Sequence, residues 1–167
     1  MGEVYHYREI NGATLDPHAA YLLLRGLKTL DLRVRKQTEN AEKLVEYLQT
    51  HPEIADLFYP GLKNHPHHDI ATEQMRGYGG IFSFSLKGGM EAVRKVLPRL
   101  KYANRAANLG AVETTVGPAN TTSHVESTEE ELVKLGIPSS LVRYSAGIED
   151  FEDLKEDLEN ALSILEK

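Results

Sequence analysis

Leu141-Val142-Arg143-Tyr144-Ser145-Ala146-Gly147-Ile148-Glu149-Asp150 reads as a short strand that runs through a glycine turn into an acidic helix start. Alternation puts Val142, Tyr144 and Ala146 on one face and Arg143 and Ser145 on the other. A second stretch, Ile81 to Leu86, alternates Phe82, Phe84 and Leu86 with Ser83 and Ser85 in the same way. Two strands with one apolar face each, set between amphipathic helices, predict an α+β fold in which helices cover one face of a mostly antiparallel sheet. On the polar face of the first strand stands Arg143, whose planar fork suits a carboxylate held bidentately. That carboxylate is either a ligand's or that of a neighbouring Glu or Asp of the chain.

Working outward, two further strands are expected near residues 54–59 and 112–116, which makes about four in all. Asp16-Pro17 has the form of an N-cap followed by proline in the first helical position. The apolar residues Ala20, Leu23, Leu24, Leu27 and Leu30 then repeat at helical spacing, and a second helical pattern runs from about Asp31 to Thr50. A break is expected between Gly26 and Asp31, with Thr29 available as a cap, and His51-Pro52 ends the second pattern. Shorter helices are predicted from His68 to Met75, from Met90 to about Leu100, and from a capping box at Ser127-Thr128-Glu129-Glu130 to Leu135. Asp150 caps a final helix with Phe151, Leu154, Leu158, Ala161, Leu162 and Leu165 on one stripe. Residues 1–15 read as an irregular polar lead-in, and 16–167 as a single domain.

Hydrophobic residues make up 41% and charged residues 26% of the 167, an ordinary soluble composition. No apolar run approaches the roughly 18 residues that cross a bilayer, and Met1 is not followed by a signal-peptide layout, so neither membrane attachment nor export is expected and a cytoplasmic location is. The net charge of −6, without a basic block, argues against a nucleic-acid footprint. Cysteine is absent, which removes thiolate nucleophiles and Cys-based zinc sites. His65, His67 and His68 lack a carboxylate or cysteine at metal-ligand spacing, so no metal is expected. Gly77, Gly79 and Gly80 precede a strand, whereas a phosphate loop follows one.

Four stretches carry a resemblance to a known family: Leu22-Leu23-Leu24-Arg25-Gly26-Leu27-Lys28-Thr29-Leu30; Tyr59-Pro60-Gly61-Leu62 with His65-Pro66 and Gly79-Gly80-Ile81-Phe82-Ser83-Phe84; Asn108-Leu109-Gly110-Ala111-Val112-Glu113-Thr114; and Leu141 to Asp150. In this order and at these spacings, the chain from Asn11 onward resembles the C-terminal domain of the Cys/Met-metabolism enzymes that use pyridoxal phosphate, among them cystathionine γ-synthase, cystathionine lyases, methionine γ-lyase and the homoserine sulfhydrylases. The resemblance implies that Arg143 binds the α-carboxylate of a sulfur amino-acid substrate. It implies the same neighbourhood for Asn108, which stands where the family usually has serine, for Leu109 beside it, and for Ala107, at a position where an acidic residue can help recognise a substrate's distal group.

The resemblance also implies what this stretch lacks. None of the ten lysines lies in the family's Ser-x-Thr-Lys context, so no catalytic residue, no cofactor-binding residue and no stably bound pyridoxal phosphate are expected in this chain. Its implied partner is an N-terminal, lysine-bearing domain or half-enzyme, within a parent that is a homo-oligomer, and alone the chain is expected to be inactive. The alternative is a stand-alone binding or assembly module without catalysis.

Overall fold

A computed structural model of the chain describes residues 2–12, 14–122, 128–138 and 140–165. Two compact units divide between Leu32 and Arg33. In the first, α1 (Gly2–Asn11) and α2 (Pro17–Leu27) are helical, so the segment expected to be an irregular lead-in forms a helix. Its apolar residues Val4, Tyr5, Tyr7 and Ile10 are few, set among charged and polar ones, and all exposed, so no wide apolar face marks the helix in the sequence. Asp16 caps α2 as expected, accepting from the backbone N–H groups of His18 and Ala19 at 2.9 and 3.1 Å. The leucines of α2 are exposed: Leu23 by 58% and Leu24 by 62%. The expected break falls at Lys28-Thr29, where Thr29 turns its hydroxyl back toward the Gly26 carbonyl, 3.5 Å away.

From α3 (Leu30–Gln49) onward the order is β1 (Ile54–Phe58), α4 (His68–Gln74), β2 (Ile81–Leu86), α5 (Gly89–Val96), β3 (Asn104–Arg105), β4 (Thr115–Pro118), α6 (Glu129–Lys134), β5 (Val142–Ser145) and α7 (Phe151–Leu162). The described sheet has five strands, not four, in the order β1-β2-β5-β4-β3. Pairing is antiparallel except between β3 and β4, which makes the sheet mixed but mostly antiparallel. The strand expected at 112–116 begins at Thr115 and runs to Pro118, and its extra neighbour β3 is too short to have a period. Thr128 and Glu131 make the reciprocal capping bonds of α6, Thr128 N–H to Glu131 Oε2 at 2.8 Å and Glu131 N–H to Thr128 Oγ1 at 3.3 Å. That is one position later than the expected box, whose Ser127 lies outside the described residues.

Register sorts the sheet into two faces. Phe82 lies opposite Tyr144, and Tyr144 opposite Val116; Phe84 lies opposite Val142. These side chains pack with Leu44 and Leu48 of α3, Val93 and Val96 of α5, and Leu154, Leu158 and Leu162 of α7 in one core. Phe82 and Tyr144 stack with centroids 5.0 Å apart, and burial pushes the Tyr144 phenol far above its ordinary pKa. The opposite face carries Ser83, Arg143 and Gly117 in one row and Ile81, Ser145 and Thr115 in the next.

A buried carboxylate fixes the approach to β3. Asp157 of α7 is 4% exposed and accepts from the backbone N–H groups of Lys101 at 2.8 Å and Tyr102 at 3.0 Å. Asp157→Ala is expected to lower the unfolding free energy by about 2–3 kcal/mol in urea titration, because these donors and the more distant Ala103 N–H, at 3.5 Å, lose a charged acceptor. A loss below about 0.5 kcal/mol would mean that water replaces the carboxylate without cost.

Candidate functional site

Arg143 lies on the central strand of the sheet, on the face opposite the Phe82–Tyr144 core, and it is half-buried. The chain between β3 and β4 folds back over this face. Arg143 Nη2 donates to the carbonyls of Ala107 at 2.7 Å and Asn108 at 3.1 Å. One row along, Ser145 Oγ accepts from Gly110 N–H at 3.0 Å, and Thr115 Oγ1 donates to the Asn108 carbonyl at 3.1 Å. Glycine stands at 117, opposite Arg143, where an added Cβ would lie 2.7 Å from the Thr122 methyl group. The structure therefore brings together Arg143, Ala107 and Asn108 from segments 35 and 36 residues apart. Leu109 follows in the same loop and is 53% exposed. Two backbone carbonyls on one terminal nitrogen orient the guanidinium plane, which is what recognition of a planar anion requires.

Residues that the sequence did not single out hold this loop from its other end. Thr114, fully buried, donates its backbone N–H to Glu149 Oε1 at 2.6 Å and its hydroxyl to Glu149 Oε2 at 2.9 Å, and its Oγ1 accepts from Gly147 N–H at 2.9 Å. Gln37 Nε2 donates to the Ala111 carbonyl at 2.7 Å. Asn40 Nδ2 donates to the carbonyls of Gly147 and Glu149 at 3.0 and 2.9 Å. The capping position that follows, Asp150, accepts from Glu152 N–H at 2.9 Å as its sequence predicts.

The histidine cluster has structural partners. His65 and His67 meet edge to face with centroids 6.0 Å apart, while His68 Nδ1 lies 2.9 Å from the Pro60 carbonyl and its ring stacks on Tyr78. Beside the Arg143 face a groove of about 570 Å³ is lined by Met90, Val93, Leu97, Arg105, Ala107 and Gly117 among others. Among the described residues no helix is long and apolar enough to cross a membrane.

Crystal structures of cystathionine gamma synthase share this architecture, and the likeness extends to the sequence. Residues 1–163 match the family model described as Cys/Met metabolism PLP-dependent enzyme, and the chain belongs to that family. It is 41% identical over 165 residues to cystathionine gamma-synthase 1, chloroplastic, of Arabidopsis thaliana, covering 99% of this chain and 29% of that protein. It is 43% identical over 155 residues to L-methionine gamma-lyase of Fusobacterium nucleatum subsp. polymorphum, covering 93% of this chain and 39% of that one. A crystal structure of cystathionine gamma synthase from Xanthomonas oryzae pv. oryzae in complex with cystathionine superposes with a TM-score of 0.89 at 41% identity, over 94% of this chain and 41% of that chain. The chain thus spans about three to four tenths of the length of the relatives it matches.

The family's cofactor needs an amine that loses its proton near neutral pH, through desolvation or neighbouring charge. None of the nine described lysines is buried. Lys43 is held above its ordinary pKa by its hydrogen bond to Glu39, 2.6 Å away. Desolvation, one of the two routes to such an amine, is therefore offered to none of the described lysines within this chain.

Proposed function

We propose that this chain is the C-terminal, substrate-carboxylate-binding domain of a pyridoxal-phosphate-dependent sulfur amino-acid enzyme. It works with an N-terminal domain or half-enzyme that brings the lysine and the cofactor. The observation that carries this reading is the orientation of Arg143 by the Ala107 and Asn108 carbonyls on the sheet face opposite the Phe82–Tyr144 core. Two facts support a missing partner: the chain's share of its relatives' length, and the exposed leucines of α2. Arg143, with Asn108, Ala107 and Leu109 around it, binds the α-carboxylate of the amino acid and orients its Cα. The uncharged Ala107 offers a substrate's distal group no ionic contact. The cofactor, when bound in the assembled enzyme, supplies the electron sink that the family's chemistry requires.

The test uses pyridoxal phosphate with this chain alone and with candidate lysine-bearing halves. Alone, after borohydride reduction and dialysis, the chain is expected to keep far less than one cofactor per molecule, spread over several lysines, and to show no lyase or transsulfuration activity. With the right half, activity and a cofactor absorption band appear together. One cofactor per chain on a single lysine of the isolated protein would refute the division of labour.

A further inference from the structure

The loop that carries Ala107 and Asn108 is bonded at nearly every second residue, and the bonds at its far end converge on two side chains, those of Thr114 and Glu149. Thr114 and Glu149 form a closed set: Glu149 accepts both Thr114 donors, and the Thr114 hydroxyl in turn accepts from Gly147. The turn they create is tied to the loop again by Ile148 N–H to the Val112 carbonyl at 2.9 Å. Helix α3 closes it from outside, Gln37 on Ala111 and Asn40 on Gly147 and Glu149. Asn40 is fully buried, and its Oδ1 has no hydrogen-bond partner among the described residues. An orphaned buried acceptor costs stability, so what the amide contributes is its two donors, both given to the turn after β5.

We infer that Thr114, Glu149, Asn40 and Gln37 are positioning residues for the Arg143 site: they fix the ends of the 107–114 loop and the 147–149 turn, and through them the two carbonyls that aim the guanidinium. This rests on the carboxylate reading of Arg143. The physical reason is that Ala107 and Asn108 meet the guanidinium through their backbone carbonyls, whose direction follows the path of the loop. Their placement is therefore inherited from wherever the loop is held. A loop held at one end only by Ser145 and Thr115 would sample several orientations, and an arginine that follows it would present its fork to a carboxylate for only part of the time.

The test compares Thr114→Val, which keeps shape and removes the hydroxyl, with Thr114→Ser, which restores it, in the full chain. Amide exchange at Gly110, Gly147 and Ile148 is expected to rise about 10-fold or more in Thr114→Val, while Phe84 and Tyr144 in the sheet change less than about threefold and Thr114→Ser stays near wild type. The Arg143 guanidinium N–H signals, followed by NMR, are expected to lose their protection in step with Gly110. Gln37→Leu, which removes a bond on the loop without emptying a buried hydroxyl, provides the same readout should Thr114→Val unfold. Unchanged Gly110 and Arg143 signals in a folded variant would overturn the inference, as would a uniform rise that includes Phe84 and Tyr144. The carboxylate reading stands or falls separately, on Arg143→Lys in an assembled enzyme.

Discussion

Arg143→Lys in an enzyme assembled from this chain and its lysine-bearing partner is expected to lower kcat/KM by about 10-fold to 1000-fold, equivalent to about 1.4–4 kcal/mol of transition-state binding. Lysine keeps the charge. It loses the planar fork, and an ammonium has no fixed plane for the Ala107 and Asn108 carbonyls to orient. The half-buried guanidinium also gives up two carbonyl contacts, so thermal stability falls, but by only about 1 kcal/mol, the usual net worth of such bonds. Steady-state kinetics and a melting curve on the same preparation separate the two effects. Equal activity with a large drop in melting temperature would make Arg143 a structural residue and would remove the basis of the proposed function.

Gly147→Ala is expected to cost more than about 3 kcal/mol and to leave little folded protein at room temperature. A Cβ at this position would fall on the Val112 carbonyl oxygen, the Thr114 backbone nitrogen and a Glu149 carboxylate oxygen. Two of the three are backbone atoms, and neither side can retreat, because Gly147 N–H is bonded to Thr114 Oγ1 and its carbonyl to Asn40. Gly26→Ala in α2 is the control: nothing lies within 4 Å of its added Cβ, and alanine is the better helix former by up to about 1 kcal/mol. Urea titration of both variants checks the contrast, and a Gly147→Ala variant as stable as wild type would show that the 112–114 and 147–149 backbones are not locked together.

How much of this was legible depends on the range of the interaction. Phe82, Phe84, Val142 and Tyr144 announce their strands because burial on one face imposes a period of two on neighbouring residues. The placement of β4 was misread because Ala111 to Val116 has strand composition throughout, yet its first four residues bend to meet Gly147 and Glu149. Nothing within that stretch records the presence of the turn. Strand β3 has two residues in an alanine-rich polar segment, so its existence depends on Asp157 holding Lys101 and Tyr102, more than fifty positions away. Arg143 stood out as a cation on a core strand, but its role and the choice of Ala107, Asn108 and Leu109 came from family likeness. Gln37, Asn40, Thr114 and Glu149 left no local signal. Their bonds join residues 74, 107 and 35 positions apart, from side chain to backbone, where neither period nor composition changes.

The strand order carries a consequence for biosynthesis. β5, the last of the five to be translated, is the one that belongs in the middle, between β2 and β4. Until it leaves the ribosome, the antiparallel β1–β2 pair and the parallel β3–β4 pair each show an unsatisfied edge, and Phe82 of β2 has no Tyr144 to stack on. The nascent chain must therefore be kept from pairing those edges with other chains between the completion of β2 and the emergence of β5, and closure of the sheet comes as one long-range event. A premature stop before Leu141 would yield a product with two open half-sheets, which is a substrate for chaperones and proteases and not a smaller working domain.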